Sequence, residues 1–495
     1  MSLLHLVRDF LWPKPTQSTM STNFSSLPAG MSHSTSKPAI NLLRGWPNGS
    51  LLPVALIKAA AQSALSDPSI AYDGLVYGPD EGYQPAREAI AAWLTSFYNP
   101  SRSIDAERIC LNGGASQSLG CMLNVYTDPS YTRNIWLVAP AYMLVFRIFE
   151  DAGFGDKMRA VPEDEDGIDI AYLRQEIQKS EDIARKEGND EPRYKPSRGD
   201  RAKVYKHIVY CVPTFSNPSS RTMTISRRRE LVRLARDFDV LIVCDDVYDF
   251  LQWPASDNVR LDTMKTSHLP RLVDIDRELD GGADRQGADG FGNVMSNGTF
   301  SKLAGPGLRS GWIEGTAKFS YGVSQAGIQR SGGAPSQLTS TYLTHLLQTG
   351  QLQHHIQNVL RPAYATRYSL MASAIKEHLL PLGFTMPQPD REVVGGYFIW
   401  LGLPETLNAE ELTQRCQDEE SLIIAPGRIF EVPGDESLRF ERSVRLCFAS
   451  EEEGMLGEGV RRMGGVARRM LERGDGEYVV VERGNRDDSK LQGFM

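Results

Sequence analysis

The sequence predicts an α/β protein: a large domain built on a mostly parallel sheet, followed by a smaller α+β domain. Three observations predict it. Strand-like and helix-like segments alternate from residue 85 to about residue 245. The strands are continuous apolar runs rather than alternating ones, as strands covered on both faces must be. A chain of 495 residues is also too long for a single compact core.

The elements follow in order. Residues 85–97 carry Ala86, Ile90, Trp93 and Leu94 at helical spacing, the pattern of an amphipathic helix. Residues 108–111 (Arg-Ile-Cys-Leu) form a strand and 116–126 a helix; 135–138 (Ile-Trp-Leu-Val) form a strand and 143–152 a helix. A strand over 207–212, a helix over 226–238 and a strand over 240–244 continue the alternation. After about Tyr342 long helices take over, with strands at 396–401 and 443–448 and a helix over 457–473. The expected organisation is a disordered leader over 1–40, rich in Ser, Thr and Pro, and a segment over 41–70 that packs with the smaller domain. The large domain spans 71–342 and the small one 343–474, before a charged, mobile tail over 475–495. Two polar stretches, 186–203 and the Gly- and Asp-rich 274–293, read as surface insertions.

Composition narrows the function. A net charge of −8 argues against a nucleic-acid-binding face. No apolar run approaches the ~20 residues of a membrane span. The amphipathic start, residues 1–13, is interrupted by Asp9 and has neither a signal-peptide core nor a cleavage site. The six cysteines form no CxxC pair and stand apart from histidines at metal-ligand spacing, so buried free thiols in a reducing compartment are expected, and no metal. A cytoplasmic protein is the corresponding expectation.

The chemistry concentrates around Lys302, in Ser296-Asn-Gly-Thr-Phe-Ser-Lys302-Leu-Ala-Gly-Pro-Gly-Leu-Arg309-Ser-Gly-Trp312. A lone lysine is usually a solvated surface charge. Here small residues permit close approach, and hydroxyls with a guanidinium suit an oxyanion. An amine in such cationic, partly desolvated surroundings has a lowered pKa and can attack an aldehyde. Asp245-Asp246-Val-Tyr248 lies at the carboxyl end of a strand, where α/β sheets place ligand groups. A helix N-cap is the plain reading of such an aspartate, and Asp246 suits it. Asn112-Gly-Gly-Ala115-Ser116-Gln117 runs from strand to helix and offers backbone N–H groups to an anion. Arg445 is a charge inside an apolar strand, Ser-Val-Arg-Leu-Cys-Phe, and needs a partner.

Together these segments resemble the fold-type I pyridoxal-phosphate (PLP) enzymes of aminotransferase class I/II, over about residues 41–472. The spacing of Pro-Gly-Leu-Arg309 after Lys302 is similar to the branch that includes aminoadipate, kynurenine and aromatic aminotransferases. The resemblance implies that Lys302 is the Schiff-base lysine, that Asp245 keeps the pyridine nitrogen protonated, and that Tyr248 and Asn217 bond the phenolic oxygen. Asn217 is followed by Pro218-Ser219-Ser220, where the family usually has Pro-Thr-Gly. It further implies a phosphate cup of Ala115, Ser116, Gln117, Thr299, Ser301 and Arg309, with Tyr142 stacked on the ring. Arg445 is implied to hold the substrate α-carboxylate, with Asn217 and Gly45 beside it. Tyr77 matches a tyrosine that reaches the neighbouring subunit's phosphate, which implies a homodimer with shared active sites. Arg330 is a further candidate for the substrate side chain, with a surface position equally in keeping. Tyr397 and Phe398 are read as pocket walls or as core.

The implied reaction is PLP-dependent transfer of an amino group from an aromatic, kynurenine-type or 2-aminoadipate-type amino acid to a 2-oxo acid, by a ping-pong mechanism. The same residues also serve β-lyases, synthases and decarboxylases, which sequence separates poorly. A regulator using this fold as a sensor would carry a DNA-binding domain, for which the leader is too short. A silent scaffold would not need Lys302, Asp245, Tyr248 and Arg309 together.

Overall fold

The computed structural model describes residues 37–195, 203–255, 261–333, 335–388 and 391–472. The expected mobile tail, most of the expected leader and the middle of the 186–203 stretch lie outside them. At the centre is an eight-stranded sheet. From one edge its strands run Ile109–Asn112, Gly311–Glu314, Val294–Thr299, Val240–Asp245, His207–Cys211, Asn134–Ala139, Met158–Asp164 and Gly167–Ile168. The run from Val294–Thr299 to Met158–Asp164 is parallel throughout. Gly311–Glu314 pairs antiparallel with both its neighbours, and Gly167–Ile168 is antiparallel to Met158–Asp164.

The continuous apolar runs are explained by burial on both faces. Side chains alternate along a strand. On the Val240–Asp245 strand, Leu241 and Val243 enter one core cluster and Val240, Ile242 and Cys244 the other. On His207–Cys211, Ile208 and Tyr210 join the first cluster, Val209 and Cys211 the second. The second cluster is completed by helices Ile170–Lys186 and Ile225–Phe238, through Leu173, Ile177, Leu231 and Leu234. The first takes in helices Gln84–Tyr98 and Ala115–Tyr126.

The expected surface insertion over 274–293 requires correction at its start. Leu272–Glu278 is a helix, and Asp274 and Asp276 are buried. Both enter the interior as ion pairs, Arg271 with Asp274 at 2.9 Å and Arg236 with Asp276 at 2.9 Å. The following turns, Leu279–Asp284, have positive φ at Asp280, Gly281 and Gly282, as do Gly287, Gly290 and Gly292 further on.

A three-stranded antiparallel sheet, Phe398–Gly402, Ser443–Cys447 and Ala425–Pro426, lies toward the C-terminus with helices Arg361–His378, Ala409–Glu420 and Glu453–Glu472. The start of the described chain forms a separate two-stranded sheet with this region: Ile40–Asn41 pairs in parallel with Leu422–Ile423. All six cysteines are buried and free. Among the described residues no helix is long and apolar enough to cross a membrane, and no group of three His, Cys, Asp or Glu side chains is placed to hold a metal ion.

Candidate active site

A cavity of about 280 Å³ opens at the carboxyl ends of the parallel strands. Each strand delivers its residues just past its last pairing. Ala115 and Ser116 follow Ile109–Asn112; Tyr142 follows Asn134–Ala139; Asn217 follows His207–Cys211; Asp245 ends its strand; Ser301 and Lys302 follow Thr299. Gly311–Glu314 runs the other way, so its amino end presents Arg309 at the same place. Arg445 comes from the middle strand of the C-terminal sheet, and Gly45 from the N-terminal segment.

Lys302 is drawn into this space by two contacts. Its Nζ donates to the Gly45 carbonyl at 3.0 Å, and it lies 5.3 Å from the Tyr397 ring centre. Burial lowers its pKa to about 8, against the opposing effects of Cys447 and Asp245, while Arg445 lowers it further. Asp245 moves the other way, up to about 7, because burial disfavours its charge. The Tyr210 hydrogen bond and Lys302 oppose that rise, and Asp246 adds to it. An amine and a carboxyl that both titrate near neutrality in one cavity mark a site built for proton chemistry.

The anion-binding part is equally defined. Gly114 precedes helix Ala115–Tyr126 with φ at +106° and has no side chain to cap it, and the first two helical residues, Ala115 and Ser116, line the cavity. A β-carbon on Gly114 would stand 3.1 Å from the Arg309 guanidinium, so glycine lets that group close in. Arg309 donates to Gly113 and Pro306 carbonyls at 2.8 and 2.9 Å. The Thr299 hydroxyl donates to Ser301 at 3.0 Å.

Arg445 is 1% exposed, with Nη1 on Asn217 Oδ1 at 2.8 Å and Nη2 on the Leu43 carbonyl at 2.6 Å. Its guanidinium lies 4.0 Å from the Phe398 ring centre, and its Nε has no hydrogen-bond partner. Burial lowers its pKa to about 10.

Three candidate residues stand apart from this cavity. Gln117 folds back so that its side-chain oxygen accepts from the Gly113 N–H. Tyr77 is 89% exposed, its ring against Gly332. Arg330 is on the surface, bonded to Gln325 at 2.9 Å. Asp246 does not cap a helix, because none begins there; it is buried and accepts from Ser296 at 2.5 Å. Phe398 lines the cavity, and Tyr397 lies beneath it, donating to the Lys302 carbonyl at 3.2 Å. Sequence reasoning passed over Trp46, Met143, Leu144, Val212, Val247 and Pro306, which complete the walls. Trp46 was signalled by its place beside Gly45; the others read as ordinary strand-end and loop residues.

A family model described as aminotransferase class I and II matches residues 37–463. An uncharacterized protein of Saccharomyces cerevisiae is 36% identical over 449 residues, 87% of this chain and 97% of that one. The aromatic-amino-acid aminotransferase 1 of Thermococcus litoralis is 26% identical over 427 residues, 86% of this chain and 87% of that one. Among solved structures, Pyrococcus horikoshii kynurenine aminotransferase, in a complex with PMP, superposes with a TM-score of 0.68 at 25% identity, covering 88% of this chain and 91% of that one.

Proposed function

The chain belongs to the class I and II aminotransferases, and from that premise we propose that its cavity holds PLP and transfers an amino group from an amino acid to a 2-oxo acid in two half-reactions. One observation carries the reading: an amine, a buried carboxylate and an anion cup converge on a single cavity. The donor set fits the cofactor. An uncapped helix start with Arg309 and three hydroxyls suits a phosphate, a buried carboxylate suits a ring cation, and an amine of lowered pKa suits an aldehyde.

Bound PLP supplies the aldehyde that takes up the amino group and the ring that accepts the electron pair left at the α-carbon. The chain does the rest. Ala115, Ser116, Thr299, Ser301 and Arg309 would hold the phosphate. Asp245 keeps a proton on the ring nitrogen by its charge. Asn217, Tyr248 and Tyr142, all on the cavity wall, would hold the ring, the first two as hydrogen-bond partners and Tyr142 by stacking. Arg445 fixes the substrate α-carboxylate with Asn217 and Gly45 beside it. Lys302 Nζ takes the proton from the substrate α-carbon. Its contact with the Gly45 carbonyl keeps the amine inside the cavity.

Substrates of aromatic or kynurenine type are supported by the relatives and by the apolar walls at Trp46, Met143, Leu144 and Phe398, and the 2-aminoadipate type by a relative of that name alone. We also propose a homodimer in which Tyr77 serves the second copy's phosphate. The exposed side chains of Val54, Leu65, Tyr72, Leu75 and Val76, close to Tyr77 in the chain, support such an interface. The buried free thiols suit a cytoplasmic enzyme.

The test is a single amino acid added to PLP-loaded protein without any 2-oxo acid. Transamination yields one equivalent of the corresponding keto acid per site and then stops. Product that keeps accumulating from one amino acid alone identifies a lyase or decarboxylase and overturns the reading.

A further inference from the structure

One buried hydroxyl aimed at this site has no part in the reaction above. Tyr210 lies on His207–Cys211, the strand beside that of Asp245, and it is absent from the cavity wall. It is 2% exposed, with its ring edge-on to Phe149 at 6.1 Å, so packing fixes its direction. Its hydroxyl donates to Asp245 Oδ2 at 2.9 Å. The other flanking strand supplies Asn297, the direct pairing partner of Asp245, whose Nδ2 reaches Asp245 Oδ1 at 3.3 Å and the Ala115 carbonyl at 3.0 Å. The carboxylate is therefore gripped from both neighbouring strands, one oxygen each.

We propose that Tyr210 is a positioning residue that keeps the Asp245 carboxylate charged and turned toward the ring nitrogen of the bound cofactor. The proposal rests on the cofactor reading above. Its physical basis is the imbalance around Asp245. Burial and the adjacent Asp246 favour the protonated acid, whereas the Tyr210 hydrogen bond, the longer one from Asn297 and the charge of Lys302 favour the carboxylate. Tyr142 and Tyr248 also face the carboxylate. Neither contributes a charge near neutral pH, because burial raises both hydroxyls, Tyr142 to about 12. A hydroxyl donating to a carboxylate is a charge-assisted hydrogen bond, among the stronger ones a buried site can offer. Without it Oδ2 is left buried and unsatisfied, and the acid takes up a proton at a higher pH.

The experiment is a double-mutant cycle on the protein stripped of cofactor, with PLP as the probe and quenching of tryptophan fluorescence as the readout. Trp46, on the cavity wall, is the reporter. Tyr210→Phe keeps the ring and removes the hydroxyl. It is expected to weaken PLP binding about tenfold, and to move the fall of affinity on acidification to higher pH. Asp245→Asn should weaken binding by itself and abolish that pH dependence. In the Asp245→Asn background Tyr210→Phe should then have no further effect. An equal loss in both backgrounds means that Tyr210 acts through packing and overturns the proposal, as does full affinity in Tyr210→Phe alone. Unchanged affinity in Asp245→Asn overturns the cofactor reading beneath it. Phe149→Leu loosens the same ring contact and spares the hydroxyl, so it separates packing from hydrogen bonding if Tyr210→Phe lowers the melting temperature. Its PLP pH profile should match that of the unmodified protein, and a shifted profile counts against the hydroxyl.

Discussion

Lys302 and Asp245 share one cavity, and burial pushes the two groups toward their neutral forms from opposite directions. Each shift has a consequence that can be measured without substrate. Asp245 releases its proton near 3.8 when unfolded and at about 7 when folded. Between those values the folded protein binds more protons, so its stability falls as pH rises across the window, and the whole penalty is present above pH 7. The cofactor-free Asp245→Asn variant should therefore be more stable than the parent at pH 8, by on the order of 1–4 kcal/mol. The gain should shrink toward pH 4, and denaturant unfolding at the two pH values checks it. Lys302 is unprotonated above about pH 8. PLP capture by the cofactor-free protein should accelerate as pH rises through 8, and Lys302→Ala should abolish that phase in stopped-flow absorbance. Both residues were legible in the sequence because each sits in a motif of fixed spacing. Tyr210 was not, because a tyrosine in an apolar strand reads as core. Only the pairing of two strands carries its hydroxyl to an aspartate 35 residues on.

At the level of elements, the site depends on strands ending together at one edge and on glycines that let neighbours close in. Gly298, on Val294–Thr299, pairs directly with Trp312, and a β-carbon there would fall 2.1 Å from the indole. Gly298→Ala must displace a ring that also packs on Phe300 at 5.0 Å, two residues before Lys302. A cost of about 1–3 kcal/mol is expected, read as a lower melting temperature together with weaker PLP retention. Apolar runs announced the strands buried on both faces. Met158–Asp164 did not announce itself, because Arg159, Pro162 and its acidic end break the run. The helix Leu272–Glu278 was misread for a related reason. Its aspartates look solvent-bound until Arg271, at the helix start, and Arg236, from another helix, neutralise them in the interior, and local composition does not reveal such pairing.

Across the described residues, the order of elements was readable and the pairing of a strand at residue 40 with one beyond residue 420 was not. Ile40–Asn41 is a two-residue strand whose partner lies at Leu422–Ile423, too short and too distant for any pattern to reveal. The proposed shared site makes a prediction at this scale. Lys302→Ala and Tyr77→Ala chains, each impaired alone, should recover activity when mixed and reassociated, because half of the dimers then carry one intact site. Recovery toward about a quarter of the native activity is expected from random pairing of two copies, and its absence would count against Tyr77 acting across the interface. The long reach within one chain has a further meaning. Arg445 bonds the Leu43 carbonyl 402 positions away, so a polypeptide still on the ribosome can own the lysine, the aspartate and the residues of the proposed phosphate cup and yet lack the arginine that completes the cavity wall. Contacts of such separation form late. On the proposed reading, binding of the substrate carboxylate thus becomes a mark of finished synthesis, one that a chain terminated before Arg445 cannot acquire.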